Sequence, residues 1–458
     1  MFMKVQTLLC TSFLSVLFVI PSQSNALKYR RPKQDSVGGR KSPRVTRHRK
    51  RPGSHQRSNE NRMKRTPTTK PVTHTLKKSV TTPSRGLYAT HKTSRSPRRK
   101  ISSAAPQRNP VLLNDRIDSE LIPRMKEGTR QIIEGENGVP IHTIRWEVEN
   151  PTGKIVIFNG KRESYLRYAE FISDLRTQYP THSIYTYDHR GQGISSRLLK
   201  ENYGHVEKFD HYVKDAAKVM ESVVKPEDGV PIIGYGHSMG GGVLAKFHLD
   251  NPGVFKGLMF SSPMWAITFY RMRLLTSLRG GHFESFLDKS IEQAVLFYAT
   301  LRGNNPILIG KTNIAFDEVF PKDNKMTGSP ERYHANTRLM TEYGTQFGAL
   351  NDDVTLGDPT WRWIRENIKA TRNIRKRAHE FQDTPMVIVN GTLESVVSTK
   401  AHKKICEASN NCTLVSIKNG LHETQFGVDR VRKEHMDSLQ TLIDKVLNST
   451  SRSIAKKL

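Results

Sequence analysis

Cysteine is scarce in this sequence. Three cysteines occur among 458 residues, at Cys10, Cys406 and Cys412. Cys10 lies in the N-terminal apolar stretch, so a single candidate pair remains and a fold held together by several disulfides is excluded. In an exported chain Cys406 and Cys412 could bridge a helix end to the start of a strand. Two free thiols are equally compatible with the sequence.

Long apolar runs are also missing, since no stretch after residue 26 has the roughly 20 apolar residues that span a bilayer. The first residues contain a shorter run of 14 residues, Thr7 to Ile20, which follows Lys4. Pro21 and the triplet Ser24 to Ala26 come next, as in a cleavage site. We therefore predict a signal peptide at residues 1–26, with an uncleaved anchor as the alternative. The mature protein is then expected to be exported: periplasmic, membrane-peripheral or secreted.

Acidic residues are almost absent from residues 27–110, which hold 25 Lys and Arg against two acids, +23 of the chain's net +30. The segment is low-complexity and has little apolar surface to bury, so we predict that it is disordered. Such a charge favours contact with an anionic membrane or envelope polymer, whereas a linker without a partner is the alternative. Nucleic acid is disfavoured as a partner, because only Tyr29 and Tyr88 could stack on bases and no folded motif is present.

The rest of the chain alternates short apolar runs with helical patterns. This alternation predicts an α/β fold with a mostly parallel sheet and helices on both faces. The predicted strands cover residues 141–148, 153–160, 182–187, 230–235, 255–260, 385–391 and 413–417. We assign residues 111–263 to the first part of this core and residues 382–458 to the second part.

Residues 264–381 interrupt the alternation, because a regular βα repeat would return to the sheet within about 30 residues. We interpret them as a helical cap inserted over the site. An apolar cap suggests a lipid-like substrate, although each of its aromatic residues more often belongs to a cap's own core than to a substrate contact. These aromatic residues are Trp265, Phe269, Tyr270, Phe283, Phe286, Phe297, Tyr298, Trp361 and Trp363.

The stretch from Val230 to Gly242 carries the strongest chemical signal. It reads as a strand, then G-H-S-M-G around Ser238, then a helix. Strand, G-x-S-x-G and helix in this order are typical of a nucleophile elbow, a tight turn that exposes the serine hydroxyl. Gly236 and Gly240 would flank the serine because strand and helix leave no room for a Cβ atom. We predict that Ser238 is a catalytic nucleophile.

A serine hydroxyl needs an imidazole to take its proton and a carboxylate to orient that imidazole. Glu394 and His422 follow the last two predicted strands, at the same sheet edge as Ser238 and in the order serine, acid, histidine. We predict that they complete a catalytic triad. The competing candidates are Asp383, which precedes its strand, Asp353, in the cap, His402, inside a helix, and His237, next to the nucleophile.

The oxyanion formed by attack on a carbonyl requires two backbone N–H donors. Met239, directly after the serine, is predicted to supply one of them. The other is expected from the loop after the strand that ends at Phe158, with Lys161 as the predicted residue. Only the peptide N–H takes part, so the side chain at either position is free to vary.

Five segments together resemble one family: F-N-G-K-R-E-S-Y-L-R-Y-A-E, Y-D-H-R-G-Q-G, G-H-V-E-K-F-D-H-Y-V-K-D, G-H-S-M-G-G and I-K-N-G-L-H-E. They are similar to the lysophospholipase and monoacylglycerol-lipase branch of the α/β-hydrolases, grouped with S33-like serine hydrolases, and most of all to bacterial membrane-associated lysophospholipases. The likeness runs from residue 141 to residue 426. It implies an α/β-hydrolase fold that hydrolyses one fatty acyl ester of a lysophospholipid or monoacylglycerol through an acyl-enzyme, without metal or cofactor.

The resemblance assigns the triad to Ser238, Glu394 and His422, and the oxyanion donors to Lys161 and Met239. Two features depart from it. Many relatives have H-G-x-G where this chain has N-G-K-R at 159–162, and the acid is Glu394 where Asp is commoner. Two other functions stay open: another acyl hydrolase or serine peptidase on the same fold, and a non-catalytic protein that binds anionic surfaces through residues 27–110.

Overall fold

The computed structural model describes residues 110–226, 229–266, 281–307 and 319–455. The predicted signal peptide and the basic segment up to residue 109 lie outside the described residues, and their interpretation stays a prediction. Two parts of the predicted cap, residues 267–280 and 308–318, also lie outside them.

The described residues form an eight-stranded sheet in the order β1-β2-β4-β3-β5-β6-β7-β8. The first three strands in this order pair antiparallel, and the other pairs are all parallel. This confirms the predicted mostly parallel sheet. The strands are β1 Thr129–Glu134, β2 Pro140–Trp146, β3 Gly153–Phe158, β4 His182–Tyr187, β5 Ile232–His237, β6 Gly257–Ser261, β7 Met386–Gly391 and β8 Cys412–Ile417.

Helices cover both faces of this sheet. They are α1 Pro110–Arg116, α2 Ile122–Lys126, α3 Ala169–Gln178, α4 Phe209–Val219, α5 Met239–Asp250, α6 Gly281–Arg302, α7 Pro330–Thr341, α8 Trp361–Lys376, α9 Thr399–Glu407 and α10 Asp429–Ala455. Short π-helical turns lie at Ile117–Leu121 and Met220–Val224. Within the described residues, no helix combines the length and apolar character needed to cross a membrane.

The central strands are buried along their whole length because each face of the sheet has its own hydrophobic core. In β3, Val156 and Phe158 pack on one face, with α4, α5 and α8. Ile155 and Ile157 pack on the other face, with α3 and α10. Successive side chains of a strand point to opposite faces, so an uninterrupted apolar run fills both cores.

The described helices of the predicted cap join both cores. α6 and α8 pack with α4 and α5 on one face, whereas α7 packs on the other. Trp265, Trp361 and Trp363 are buried, and Phe297 is 67% exposed. The ring of Tyr298 meets that of Trp361 edge-to-face, with the centroids 4.8 Å apart. Most of the described cap aromatics therefore serve as core. Phe269, Tyr270 and the side chains of Phe283 and Phe286 lie outside the described residues.

Three features of the fold differ from the sequence-based expectation or extend it. The helical segment from Pro110 to Lys126 and strand β1 were not predicted; in β1 only Ile133 is buried, so its sequence shows no alternation. The last helix, α10, begins before the predicted residue 433 and runs past residue 447. Cys406 and Cys412 are bridged, with their Cα atoms 5.2 Å apart, which ties the end of α9 to the start of β8.

Candidate active site

Ser238 sits in the turn between β5 and α5, with φ of 49° and ψ of −118°. This backbone conformation is strained for a residue with a side chain and is typical of functional turns. The flanking glycines are required by contact. A Cβ at Gly236 would lie 2.8 Å from the Cα of Gly241, and one at Gly240 would lie 2.2 Å from the carbonyl oxygen of Phe158. The turn thus has the geometry of a nucleophile elbow.

The structure brings the three predicted triad residues together. The Ser238 Oγ atom lies 3.0 Å from Nε2 of His422, and Nδ1 of His422 lies 2.7 Å from Oε2 of Glu394. The other carboxylate oxygen, Oε1 of Glu394, accepts the N–H groups of Val396 at 2.7 Å and Val397 at 3.2 Å. These backbone bonds fix the carboxylate in the loop after β7 and accommodate the longer side chain of Glu.

The competing residues have other partners. His402 in α9 contacts the carbonyl oxygen of Pro263 through Nε2 at 2.7 Å, and Asp353 accepts the N–H of Thr355 at 2.8 Å. His237 packs against His422, with ring centroids 5.0 Å apart. Burial and the neighbouring His422 lower the pKa of His237 to about 3, so His237 stays neutral.

Charges within the triad oppose the effect of burial. Burial lowers the pKa of His422, but the carboxylate of Glu394, with smaller contributions from Glu423 and Glu163, raises it, and the net pKa lies above the ordinary 6.5. Burial likewise raises the pKa of Glu394, while His422 and the backbone N–H donor of Val396 lower it to about 2. Glu394 is therefore ionised at neutral pH. It holds the proton of His422 on Nδ1, which leaves Nε2 free to accept the proton of Ser238.

We expect activity to be lost as the pH is lowered through a midpoint above 6.5. His422 accepts a proton only when it is neutral, and its raised pKa moves protonation to higher pH than for a free imidazole. The test is the pH profile of kcat/KM on an uncharged, water-soluble ester, which does not titrate. An acid limb centred well below 6.5 would contradict the assignment.

The loop after β3 lies against the start of α5, where the oxyanion site was predicted. Its Gly160 N–H donates to Oε2 of Glu163 at 2.5 Å, and the Arg162 N–H donates to Oε1 of Gln192 at 3.3 Å. The N–H of Lys161 lies between these two engaged groups. Met239 begins α5, where the helix dipole favours negative charge. Both positions are compatible with the predicted donors, and their role stays a prediction.

Asp188, at the end of β4, organises this loop, and the sequence analysis did not assign it that role. The buried carboxylate accepts hydrogen bonds from Ser164 Oγ at 2.7 Å, Asn159 Nδ2 at 2.9 Å, and the N–H groups of Tyr165 at 2.6 Å and Ile194 at 2.7 Å. Burial raises its pKa to about 6, against these bonds. The sequence signal for this role was the glycine at position 193, five residues after Asp188. The structure explains that glycine, because a Cβ there would lie 2.1 Å from Oδ2 of Asp188.

A second buried cluster, also missed by the sequence analysis, joins the oxyanion loop to the histidine loop. Arg167 Nη1 donates to Glu163 Oε1 and to Glu423 Oε1, each at 2.8 Å, and Nη2 donates to Glu423 Oε2 at 2.5 Å. Glu163, Glu423 and His237 could hold a metal by distance, with ligand atoms within 4.8 Å of one another. The guanidinium of Arg167 already donates hydrogen bonds to both carboxylates, in the place that a metal ion would take, so these residues do not fit a metal ion well.

Replacing Arg167 by Met should destabilise the protein by about 3–5 kcal/mol, because two buried carboxylates would lose their counter-charge. Urea denaturation followed by fluorescence measures the change in the free energy of unfolding. The matched control is Lys433→Met, which removes one partner of an exposed ion pair with Asp437 and should cost at most about 1 kcal/mol. If both substitutions lower the free energy of unfolding equally, Arg167 contributes no more to stability than an exposed ion pair does.

Comparison with known proteins gives the family. Residues 149–429 match the family described as serine aminopeptidase, S33, which is more than half of the chain. The chain belongs to the S33 family. As an S33 member it is a serine hydrolase of the α/β-hydrolase fold that acts on acyl esters, in the lysophospholipase and monoacylglycerol-lipase branch.

Two bacterial relatives of this S33 protein match most of their own length. Lysophospholipase L2 of Escherichia coli (strain K12) is 29% identical over 307 residues, which cover 65% of this chain and 82% of the relative. Probable lysophospholipase L2 of Haemophilus influenzae is 25% identical over 331 residues, which cover 71% and 95%. A soluble variant of monoglyceride lipase from Saccharomyces cerevisiae, in complex with a substrate analog, is 17% identical, has a TM-score of 0.51 and covers 70% of this chain and 96% of its own. This last likeness shows the fold.

Proposed function

We propose that this protein releases a fatty acid from a lysophospholipid or a monoacylglycerol through an acyl-enzyme on Ser238. The observation that carries the proposal is the hydrogen-bonded chain from Ser238 Oγ to His422 Nε2, at 3.0 Å, and from His422 Nδ1 to Glu394, at 2.7 Å. The bacterial relatives named lysophospholipase L2 support a lipid substrate.

The contacts within the triad support the following reaction. The Ser238 Oγ atom attacks the ester carbonyl carbon as its proton passes to Nε2 of His422, while Glu394 stabilises the imidazolium. The N–H groups of Lys161 and Met239 meet the oxyanion. His422 then gives its proton to the leaving glycerol oxygen, and the acyl-enzyme forms. Water, deprotonated by His422, attacks the acyl group, and the fatty acid leaves as Ser238 regains its proton.

A fluorophosphonate probe tests this proposal against its alternatives. The probe should label Ser238, and mass spectrometry of the digested protein should map the modification to the peptide that contains it. Purified protein should then hydrolyse lysophospholipid or monoacylglycerol, and should leave aminoacyl amides intact. Labelling with amide hydrolysis alone would instead favour a peptidase. Absence of labelling would favour a protein that has lost catalysis.

We also propose that the protein is exported and contacts anionic membranes or envelope polymers through residues 27–110. The support is the sequence alone: the signal-like residues 1–26 and the net charge of +23 that follows them. Each basic residue near an anionic surface contributes about 1 kcal/mol at most, and this attraction is screened by salt.

Deleting residues 27–108 should weaken binding to anionic liposomes and leave hydrolysis of a soluble short-chain ester unchanged, because the deletion removes charge and none of the site residues. Liposome sedimentation over a range of salt concentrations measures the binding, and wild-type binding should fall steeply as salt increases. Equal binding by both forms, or wild-type binding that is insensitive to salt, would mean that this segment does not make the membrane contact.

A further inference from the structure

The Lys161 side chain is half-buried and belongs to the loop that follows β3, beside the candidate active site. Its Nζ atom lies 5.1 Å from the ring centroid of Trp363, at the start of α8. Gly204 makes room for it, since a Cβ there would lie 3.2 Å from Lys161 Cε and 3.4 Å from Nζ. Trp363 and Gly204 therefore hold this side chain in a defined place.

Lys161 differs from the buried arginines of the protein in its partners. In the described part of the chain it makes no ion pair, whereas each of those arginines is bound to a carboxylate. Among the described residues these pairs are Arg167 with Glu163 and Glu423, Arg190 with Asp215, Arg332 with Glu170, and Arg432 with Asp174. Cations that are removed from water are normally paired with an anion, whereas Lys161 contacts the Trp363 ring and no carboxylate, so its amine can still bind an anion.

The groups around Lys161 also favour the binding of an anion. Burial and the neighbouring Arg162 lower the pKa of Lys161 well below its usual range, and the carboxylate of Asp358 opposes them only in part. Arg162 Nε donates to the carbonyl oxygen of Leu356 at 3.0 Å, which fixes a second positive charge in the same loop. An anion placed here would restore the charged form of Lys161 and gain from both cations.

The position of the loop places this cation near the reacting groups. The carbonyl oxygens of Phe158 and Asn159 lie so close to the first turn of α5 that a Cβ at Gly240 would be 2.2 Å and 2.4 Å from them. Lys161 follows two residues later and is the predicted oxyanion donor through its N–H. We therefore expect a substrate whose ester carbonyl meets that N–H to place its headgroup near the side chains of this loop.

We propose that the ammonium group of Lys161 binds the phosphodiester of a lysophospholipid headgroup, which makes the enzyme select lysophospholipid over monoacylglycerol of the same acyl chain. This inference rests on the proposed function and narrows its substrate. A phosphodiester carries one negative charge and two free oxygens that accept charge-assisted hydrogen bonds. A monoacylglycerol has a hydroxyl group at that place and gives the Lys161 ammonium no counter-charge.

The experiment compares oleoyl lysophosphatidylglycerol with oleoylglycerol, both in neutral detergent micelles. We measure kcat/KM for each lipid and take their ratio within each variant, so that any change in the catalytic groups cancels. Lys161→Met keeps the apolar stem and removes the charge; it should lower the lysophospholipid-to-monoacylglycerol ratio by roughly ten- to a hundredfold, the effect of one hydrogen bond to a charged group. Lys161→Arg, which keeps the charge, should retain most of the ratio.

Lys256→Met is the matched control, because this lysine precedes the amino end of β6, whereas the candidate site lies at the carboxyl ends of the strands, and it donates to the carbonyl oxygen of Gly253. Its ratio should equal that of the wild type. A wild type that hydrolyses neither lipid would overturn the proposed function and this inference together. A ratio within twofold of wild type in Lys161→Met, with both lipids hydrolysed, would overturn the inference alone.

Inorganic phosphate separates the headgroup from a free anion. If Lys161 binds the headgroup, added phosphate should inhibit lysophospholipid hydrolysis by the wild type more than by Lys161→Met. The ratio of kcat/KM for lysophospholipid to kcat/KM for monoacylglycerol should also depend on Lys161. The opposite result has two parts: phosphate inhibits the hydrolysis of both lipids equally and through Lys161, and the ratio of the two kcat/KM values does not depend on Lys161. This result would assign the site to a free anion and overturn the headgroup assignment.

Discussion

Replacing Ser238 by Ala should lower the turnover of a soluble ester by about 10⁴-fold or more, because the attacking oxygen is removed while the rest of the site is retained. The substitution leaves the contact between His422 and Glu394 in place, 2.7 Å apart, and keeps a residue with a Cβ in the strained turn. The measurement is steady-state hydrolysis of a short-chain ester, together with loss of fluorophosphonate labelling.

Ser173→Ala provides the matched control for this prediction. Ser173 is a buried serine in α3 that accepts a hydrogen bond from Arg124 and lies outside the site. Its variant should retain activity within a few fold and should still be labelled. If Ser238→Ala keeps activity within tenfold of the wild type, Ser238 is not the nucleophile.

Replacing Glu394 by Gln should lower turnover by roughly 10³- to 10⁴-fold, because the neutral amide no longer fixes the tautomer of His422 or stabilises its imidazolium. Glu394 also raises the pKa of His422, so residual activity should have its acid limb at lower pH than the wild type. The pH profile of kcat/KM distinguishes this effect from simple loss of folded protein.

Asp383→Asn is the comparison for the acid, since Asp383 precedes β7 and lies at the opposite end of that strand from Glu394. The substitution should have little effect on turnover. A large loss in Asp383→Asn with a nearly silent Glu394→Gln would show that the wrong carboxylate was assigned.

The parts of the fold and site that the sequence predicted are those encoded by local patterns. The turn at Ser238 has its strand, glycines and helix within 21 consecutive residues from Val230 to Asp250. Glu394 and His422 were predicted because the ends of parallel strands meet at one edge of a sheet. Their side chains do meet there. Predicting this required the direction of the strands and no knowledge of side-chain contacts.

The parts that were missed depend on contacts between distant residues. Arg167 and Glu423 are 256 positions apart, and neither a charged residue in a helical pattern nor one beside a histidine indicates such a pair. β1 is an edge strand with one buried side chain, so the alternation that identifies strands is absent. The bridge between Cys406 and Cys412 stayed open because the distance between two thiols depends on how α9 meets β8.

The triad residues follow three strands that are made in succession, β5, β7 and β8, so a growing chain acquires its triad in steps. β6, β7 and β8 are neighbours in both sequence and space, so this edge is built in the order of synthesis. A polypeptide that ends before Glu394 contains the serine and neither of its partners, and one that ends before His422 still has no base. The last residue of the triad is thus made 184 positions after the first, so an incompletely synthesised chain contains the nucleophile without the means to activate it.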